Sequence, residues 1–364
     1  MDNPQIPVVS LEFFKTVTPS VPNTMLQAVV ANLKDGKFTA SHALQFTEEI
    51  IRAGKDYTGQ DPCMEMTRSP ISTSFGERHN LSRPDGVGSS LVARSHENEE
   101  LPGVDPLPWS SIILAIEDAS GEASGLKKII WSGRRILRHD PRRNFCFGIT
   151  TENATYRLWF FARSHVMVTE PLNDHAPLVR FILSLSFAHV LSTPSPEFSQ
   201  YTVGEDPSAR PISPSSPISA GASYLYTPIN HNFAWEAHGY DATMQQLRQG
   251  VYRIRVGDTW YITAGTLSDS RAEHICGRCT RVWRVYEDKK YGDGEEKVYY
   301  VLKDVWVDSR NNTEAAIWKR LKEKVNPEVF DRHFLTLVAA FQPGEGTTTC
   351  SFFGRGGYSY AENV

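Results

Sequence analysis

Ile275-Cys276-Gly277-Arg278-Cys279-Thr280-Arg281-Val282-Trp283 and Val301-Leu302-Lys303-Asp304-Val305-Trp306 decide how the second half of this chain folds. The first is a glycine turn running into an alternating strand, the second is a strand carrying a lysine, and a helix opens at Glu314. Lys303 falls in phase with Val301, Val305 and Val307, while Leu302, Asp304 and Trp306 take the other face. With the valine face inward, the Lys303 ammonium points into a covered cleft. It then needs a carboxylate or phosphate partner, because an unpaired buried charge is costly. Asn311-Asn312-Thr313 is N-cap material and Asn326-Pro327 a stop for the helix between them. At ~100° per residue, Ile317, Trp318, Leu321 and Val325 cluster about one direction with Glu314 in its middle. Glu314 there either pairs with Lys303 or only complements the helix dipole. The phase of Lys303 favours the pair.

Around this stretch the composition sets bounds. The chain has 364 residues, enough for two ordinary domains, and 40% hydrophobic with 11% aromatic residues suffices for real cores. A net charge of −4 and a pI near 6.3 give no overall field that recruits nucleic acid or anionic membrane. The start, Met1-Asp2-Asn3-Pro4-Gln5-Ile6-Pro7, has no basic n-region before an apolar run, so neither secretion nor a membrane span is expected. Five cysteines without such a leader argue for reduced thiols in the cytoplasm or nucleus. Cys276-x-x-Cys279 is half of a zinc set, but no second Cys/His pair stands at ligand spacing. The expectation is no zinc, with the two cysteines as small residues in a tight turn.

Along the chain, residues 1–100 read as a helical lead-in followed by an irregular segment. Leu26–Leu33 and His42–Ile51 have helical period, whereas Gln60–Glu100 is polar and Ser/Gly/Pro-rich and promises little core. Residues 101–191 read as an α/β leading domain. Trp109–Ile116 is a buried-strand run ending at Glu117-Asp118, and a helix through Leu126–Leu137 closes at Asp140-Pro141. Strands at Phe145–Thr150, Tyr156–Ala162 and Val166–Thr169 follow, and then a helix from Pro177 to Leu191. Residues 192–222 are a Ser/Pro-rich linker or insertion, and 331–364 a tail. Within 223–330, Val251–Val256 and Thr259–Thr263 flank Gly257-Asp258, a two-residue hairpin signal. The fold class is therefore α+β: a mixed leading domain, then an antiparallel sheet plus one helix.

Gly277-Arg278-x-Thr280-x-Val282-Trp283, the Lys303-Asp304-x-Trp306 strand, Glu314 and, upstream, Gly239-Tyr240-Asp241-x-Thr243 together resemble the fungal-type protein kinase family. The resemblance covers about Trp109 to Lys324 and implies a partial kinase N-lobe that uses ATP with magnesium. It implies that Lys303 holds the α/β-phosphates, that Glu314 pairs with it, and that Gly277 lies over the nucleotide. This chain departs from the family in having Cys279 where Gly-Arg-Gly-Thr is usual, so the second glycine of the turn is missing. It has no H-R-D-x-x-x-x-N, since Asp331-Arg332-His333-Phe334 has the wrong order, and Phe352-Phe353-Gly354 lacks the acid of D-F-G. The expectation is a member incomplete in its catalytic half and inactive alone, binding ATP feebly or serving as a scaffold for an unspecified protein partner.

A rival chemistry lies in the leading domain. Arg83-Pro84-Asp85-Gly86, then an apolar strand ending in Glu117 and a helix, looks like the PD-(D/E)XK nuclease layout. Such a nuclease needs two carboxylates on magnesium and a lysine that positions water. Ala119 stands where that lysine belongs, with Lys127 and Lys128 further along the helix, so Asp85 and Glu117 read as a degenerate nuclease-like pair. The basic run Arg134, Arg135, Arg138, His139, Arg142, Arg143 is either a phosphate-contacting strip or a solvated helix end complementing the dipole. The second is favoured, and no nucleic-acid partner is expected.

Overall fold

The computed structural model describes residues 6–33, 42–68, 84–90, 109–118, 122–163, 165–191, 237–241, 243–248, 250–269, 279–291, 296–306, 314–334 and 336–340. They form two sheets. The first has seven strands, β1 (Val8–Val9), β2 (Met64–Thr67), β3 (Gly86–Ser90), β4 (Ile112–Asp118), β5 (Phe145–Glu152), β6 (Thr155–Ala162) and β7 (Val166–Thr169), in the order β1-β7-β6-β5-β4-β3-β2. Only β1 with β7 and β4 with β5 run parallel. The β4–β5 crossover is a helix, as a parallel pair requires.

Helices cover both faces of this sheet. On one lie α1 (Leu11–Val17), α2 (Asn23–Asn32), α3 (Ala43–Thr58) and α5 (His175–Ser186), whose Phe14, Met25, Ile50 and Ile182 share a core with Phe147 and Phe160 of the strands. On the other lies α4 (Glu122–His139), whose Ile129 and Ile136 pack with Ile112, Trp159 and Phe161. Strand β4 is apolar at consecutive positions because both its faces are covered. A short helix α6 (Ala188–Leu191) follows α5. Among the described residues no helix is long and apolar enough to cross a membrane.

The expectation that Gln60–Glu100 supplies little core is corrected. Met64 and Val87 are fully buried and Met66 nearly so, and β2 and β3 extend the sheet beyond β4. Met-Glu-Met-Thr and Gly-Val-Gly-Ser-Ser have little strand propensity of their own, so pairing with β4 decides their conformation. The helical lead-in likewise packs onto this sheet, since α2 and α3 meet α5. The Ser/Pro-rich segment 192–222 lies outside the described residues.

The second sheet is an antiparallel meander of β8 (Met244–Arg248), β9 (Val251–Val256), β10 (Thr259–Ser268), β11 (Arg281–Glu287) and β12 (Tyr299–Asp304) in the order β12-β11-β10-β9-β8. Gly257, at φ 62°, makes the β9–β10 turn. Met244, Ile254, Tyr261, Trp283 and Val285 form its core. Helices α7 (Glu314–Lys324) and α8 (Pro327–His333) follow. The mixed α+β class holds.

Candidate functional site

Lys303 and Glu314 meet: Nζ lies 2.5 Å from Oε1, with side chains 41% and 48% exposed. Strand alternation places Lys303 with Val301 and Tyr299, which are 61% and 50% exposed. The opposite face, Tyr300 and Leu302, packs on the sheet core. The expectation of an inward valine face is thus reversed. The pair sits on an open face, where such ion pairs contribute about 1 kcal/mol at most. Helix α7 buries none of its residues, and Ile317 is 46% exposed. Trp318 packs edge-on against Phe330 of α8, centroids 5.2 Å apart. Gly277, Cys276 and Arg278 lie outside the described residues. Cys279 is buried at φ 40°, with Sγ 3.7 Å from the Arg163 carbonyl. Among the described residues no three metal-ligating side chains converge.

Behind this open face the second sheet is fastened to the first by buried polar contacts that the sequence did not disclose. The Asp140 carboxylate takes a forked pair from Arg142, Nε to Oδ1 at 2.8 Å and Nη2 to Oδ2 at 2.7 Å. Burial alone would raise the acid's pKa, but the Arg142 and Arg143 charges outweigh it and hold Asp140 below its ordinary value. Arg143 donates to His238 O at 2.5 Å, Ile112 O at 2.6 Å, Ser110 O at 3.1 Å and Tyr240 Oη at 2.5 Å. Its guanidinium also lies 3.7 Å over the Tyr240 ring. Arg142 and Arg143 are 3% and 0% exposed, so the reading of these two as a solvated helix end is corrected.

The Gly239-Tyr240-Asp241-x-Thr243 motif is the strap in this joint. Asn144 N donates to Gly239 O and Asp241 N to Arg142 O, both at 2.7 Å. Asp241 Oδ1 accepts from both N and Oγ1 of Thr243 at 2.7 Å, which shapes the turn into β8. Gly239 has φ 86°, and a Cβ there would lie 2.2 Å from the Phe145 carbonyl oxygen. Beside the strap, His238 Nε2 lies 2.9 Å from Leu185 O and 3.8 Å from Cys63 Sγ. Burial pushes His238 down to about 3 and Cys63 up to about 11, so both are neutral near pH 7 and the couple is packing, not a nucleophile and its base.

Asp85 and Glu117 also come close, at neighbouring ends of β3 and β4. Asp85 Oδ2 accepts from Asp118 N at 2.8 Å, and Glu117 Oε1 accepts from Ser132 Oγ at 2.8 Å. Glu117 is fully buried, and its Oε2 has no hydrogen-bond partner. Burial first, and the Asp85 charge after it, push its pKa up to about 7 against the relief from Ser132 and Lys128. An acid whose folded pKa is raised costs stability once the unfolded chain ionises. Stability therefore falls as pH climbs from about 4.5 to about 7 and the penalty is constant above that. Glu117→Gln should remove a penalty on the order of 3 kcal/mol at pH 8 and nothing at pH 4. Urea melts of both proteins at the two pH values check this, and equal differences would contradict it.

Residues 233–336 match the model of the fungal protein kinase family. No curated protein and no solved structure matches the chain. Lys303, Glu314 and the Gly239–Asp241 strap all lie within the matched residues. The segment carrying them is similar to the fungal protein kinase family.

Proposed function

We propose that residues 233–336 are the nucleotide-gripping half of a protein kinase, with residual binding of ATP and magnesium. Lys303 supplies the cation for the α/β-phosphates, and Glu314 orients it. The observation that carries this is the 2.5 Å Lys303–Glu314 pair on an open strand face. Phosphoryl transfer needs, besides that pair, a base and metal-binding acids. The 364 residues contain neither H-R-D-x-x-x-x-N nor D-F-G. On this reading the chain alone transfers no phosphoryl group, and its role is weak ATP binding or that of a scaffold for an unknown partner.

Thermal melts with and without millimolar Mg-ATP, together with a phosphotransfer assay, test the proposal. One wall and one lysine hold nucleotide weakly, and stabilisation grows only as RT ln(1 + [L]/Kd). The expected result is no transfer and no resolvable shift in the melting temperature. A shift of several degrees that vanishes in Lys303→Met would identify a working nucleotide site and overturn the feeble-affinity part. The meeting of Asp85 with Glu117 favours a second reading, a degenerate nuclease-like leading domain. A buried acid half-protonated at neutral pH, with no lysine in ion-pair contact, is poor magnesium-nuclease machinery. Magnesium-dependent DNA cleavage lost in Glu117→Ala would reverse the order of the two readings.

A further inference from the structure

The strand beside the lysine strand is tied to the leading domain through Arg281. Arg281 opens β11 and stands opposite Asp304, while the next residue, Val282, stands opposite Lys303. The Arg281 guanidinium leaves its own sheet and donates from Nη2 to Leu137 O at 3.1 Å and Arg138 O at 3.0 Å. Those carbonyls end α4, where backbone acceptors lack helical partners and the helix dipole favours a cation. Arg163, from the leading domain, completes the cap through Leu137 O at 2.9 Å and Asp140 O at 3.0 Å. Arg281 is 3% exposed, and Asp304 lies within the field of both guanidiniums. The back of β11 and β12 is therefore fixed to α4, and the front of the same two strands presents Lys303 to Glu314.

We infer that Arg281 is a positioning residue for the Lys303–Glu314 pair, through which the leading domain sets where the phosphate-gripping lysine stands. The role takes its meaning from the nucleotide reading above. The front offers little restraint: α7 buries none of its residues, and an exposed ion pair holds two long side chains only loosely. Restraint comes from behind, where Arg281 Nη2 alone donates to both carbonyls at the end of α4.

Competitive acetylation of lysines in the full chain, read by mass spectrometry beside amide hydrogen exchange, tests the inference. Arg281→Met should raise Lys303 acetylation several-fold and speed exchange across β12. The amides of β8 and β9, and Lys55 on α3, should keep their wild-type rates. Arg281→Lys should recover part of the protection, and it carries the same comparison should Arg281→Met fail to fold. Glu314→Gln gives the ceiling for an unpaired Lys303. Wild-type rates at Lys303 and β12 in the Arg281 variants would overturn the inference, as would uniform acceleration over both sheets, which marks a merely structural loss. Failure of Glu314→Gln to raise Lys303 acetylation would count against the pair that carries the nucleotide reading and leave the β12 exchange result standing.

Discussion

Gly239→Ala is expected to destabilise the protein by on the order of 3–5 kcal/mol, a loss of roughly 10 °C in melting temperature. Two costs add at this one position. An L-residue is strained at φ 86°, and the new methyl would lie 2.2 Å from the Phe145 carbonyl oxygen. That oxygen is backbone of a central strand, so it cannot yield as the tip of a side chain would. The strap must lift, and lifting it breaks the Asn144–Gly239 and Arg142–Asp241 hydrogen bonds. Calorimetry should show the loss with early melting of the five-stranded sheet. A melt within 2 °C of wild type, on the order of 1 kcal/mol or less, would contradict this account.

Arg143→Met ranks second, at roughly 3–5 kcal/mol. The methionine fills much of the volume but takes the Arg143 donors from the carbonyls of His238, Ile112 and Ser110 and from Tyr240 Oη, and removes the guanidinium 3.7 Å over the Tyr240 ring. Arg143→Lys should be nearly as harmful, because one ammonium cannot span acceptors that the planar fork reaches together. Tyr240→Phe removes one hydroxyl and should cost only about 1 kcal/mol. Urea unfolding of the three variants checks the ordering. A methionine variant no worse than the phenylalanine variant would show that Arg143 is dispensable.

Periodicity and turn chemistry disclose much of this architecture in advance. Val166–Thr169 is bounded in the structure as it reads in the sequence, and the Gly257-Asp258 hairpin and the helix through Ile129 and Ile136 follow from spacing alone. Strands β2 and β3 were illegible because their residues do not favour extended structure, and a neighbour fixes them. The face of β12 misled because alternation gives phase but not sign. The choice of Tyr300 and Leu302 as the inward set depends on what the sheet meets behind it. Arg143, Arg163 and Arg281 were invisible for a related reason. Arginine is ordinarily a surface residue, and only carbonyls brought from distant segments make its burial tolerable.

The strap and the Arg281 contact bear on where this protein can be cut. The family match begins at residue 233, a few residues before His238, whose carbonyl is already hydrogen-bonded to Arg143. A fragment of residues 233–336 would keep Arg281 and lose both carbonyls it donates to, opening one wall of a polar core to water. The complementary fragment would leave the end of α4 half capped and Arg143 short of His238 and Tyr240. The seam lies in a shared interior, so the family-matched segment keeps its buried hydrogen bonds only together with the leading domain.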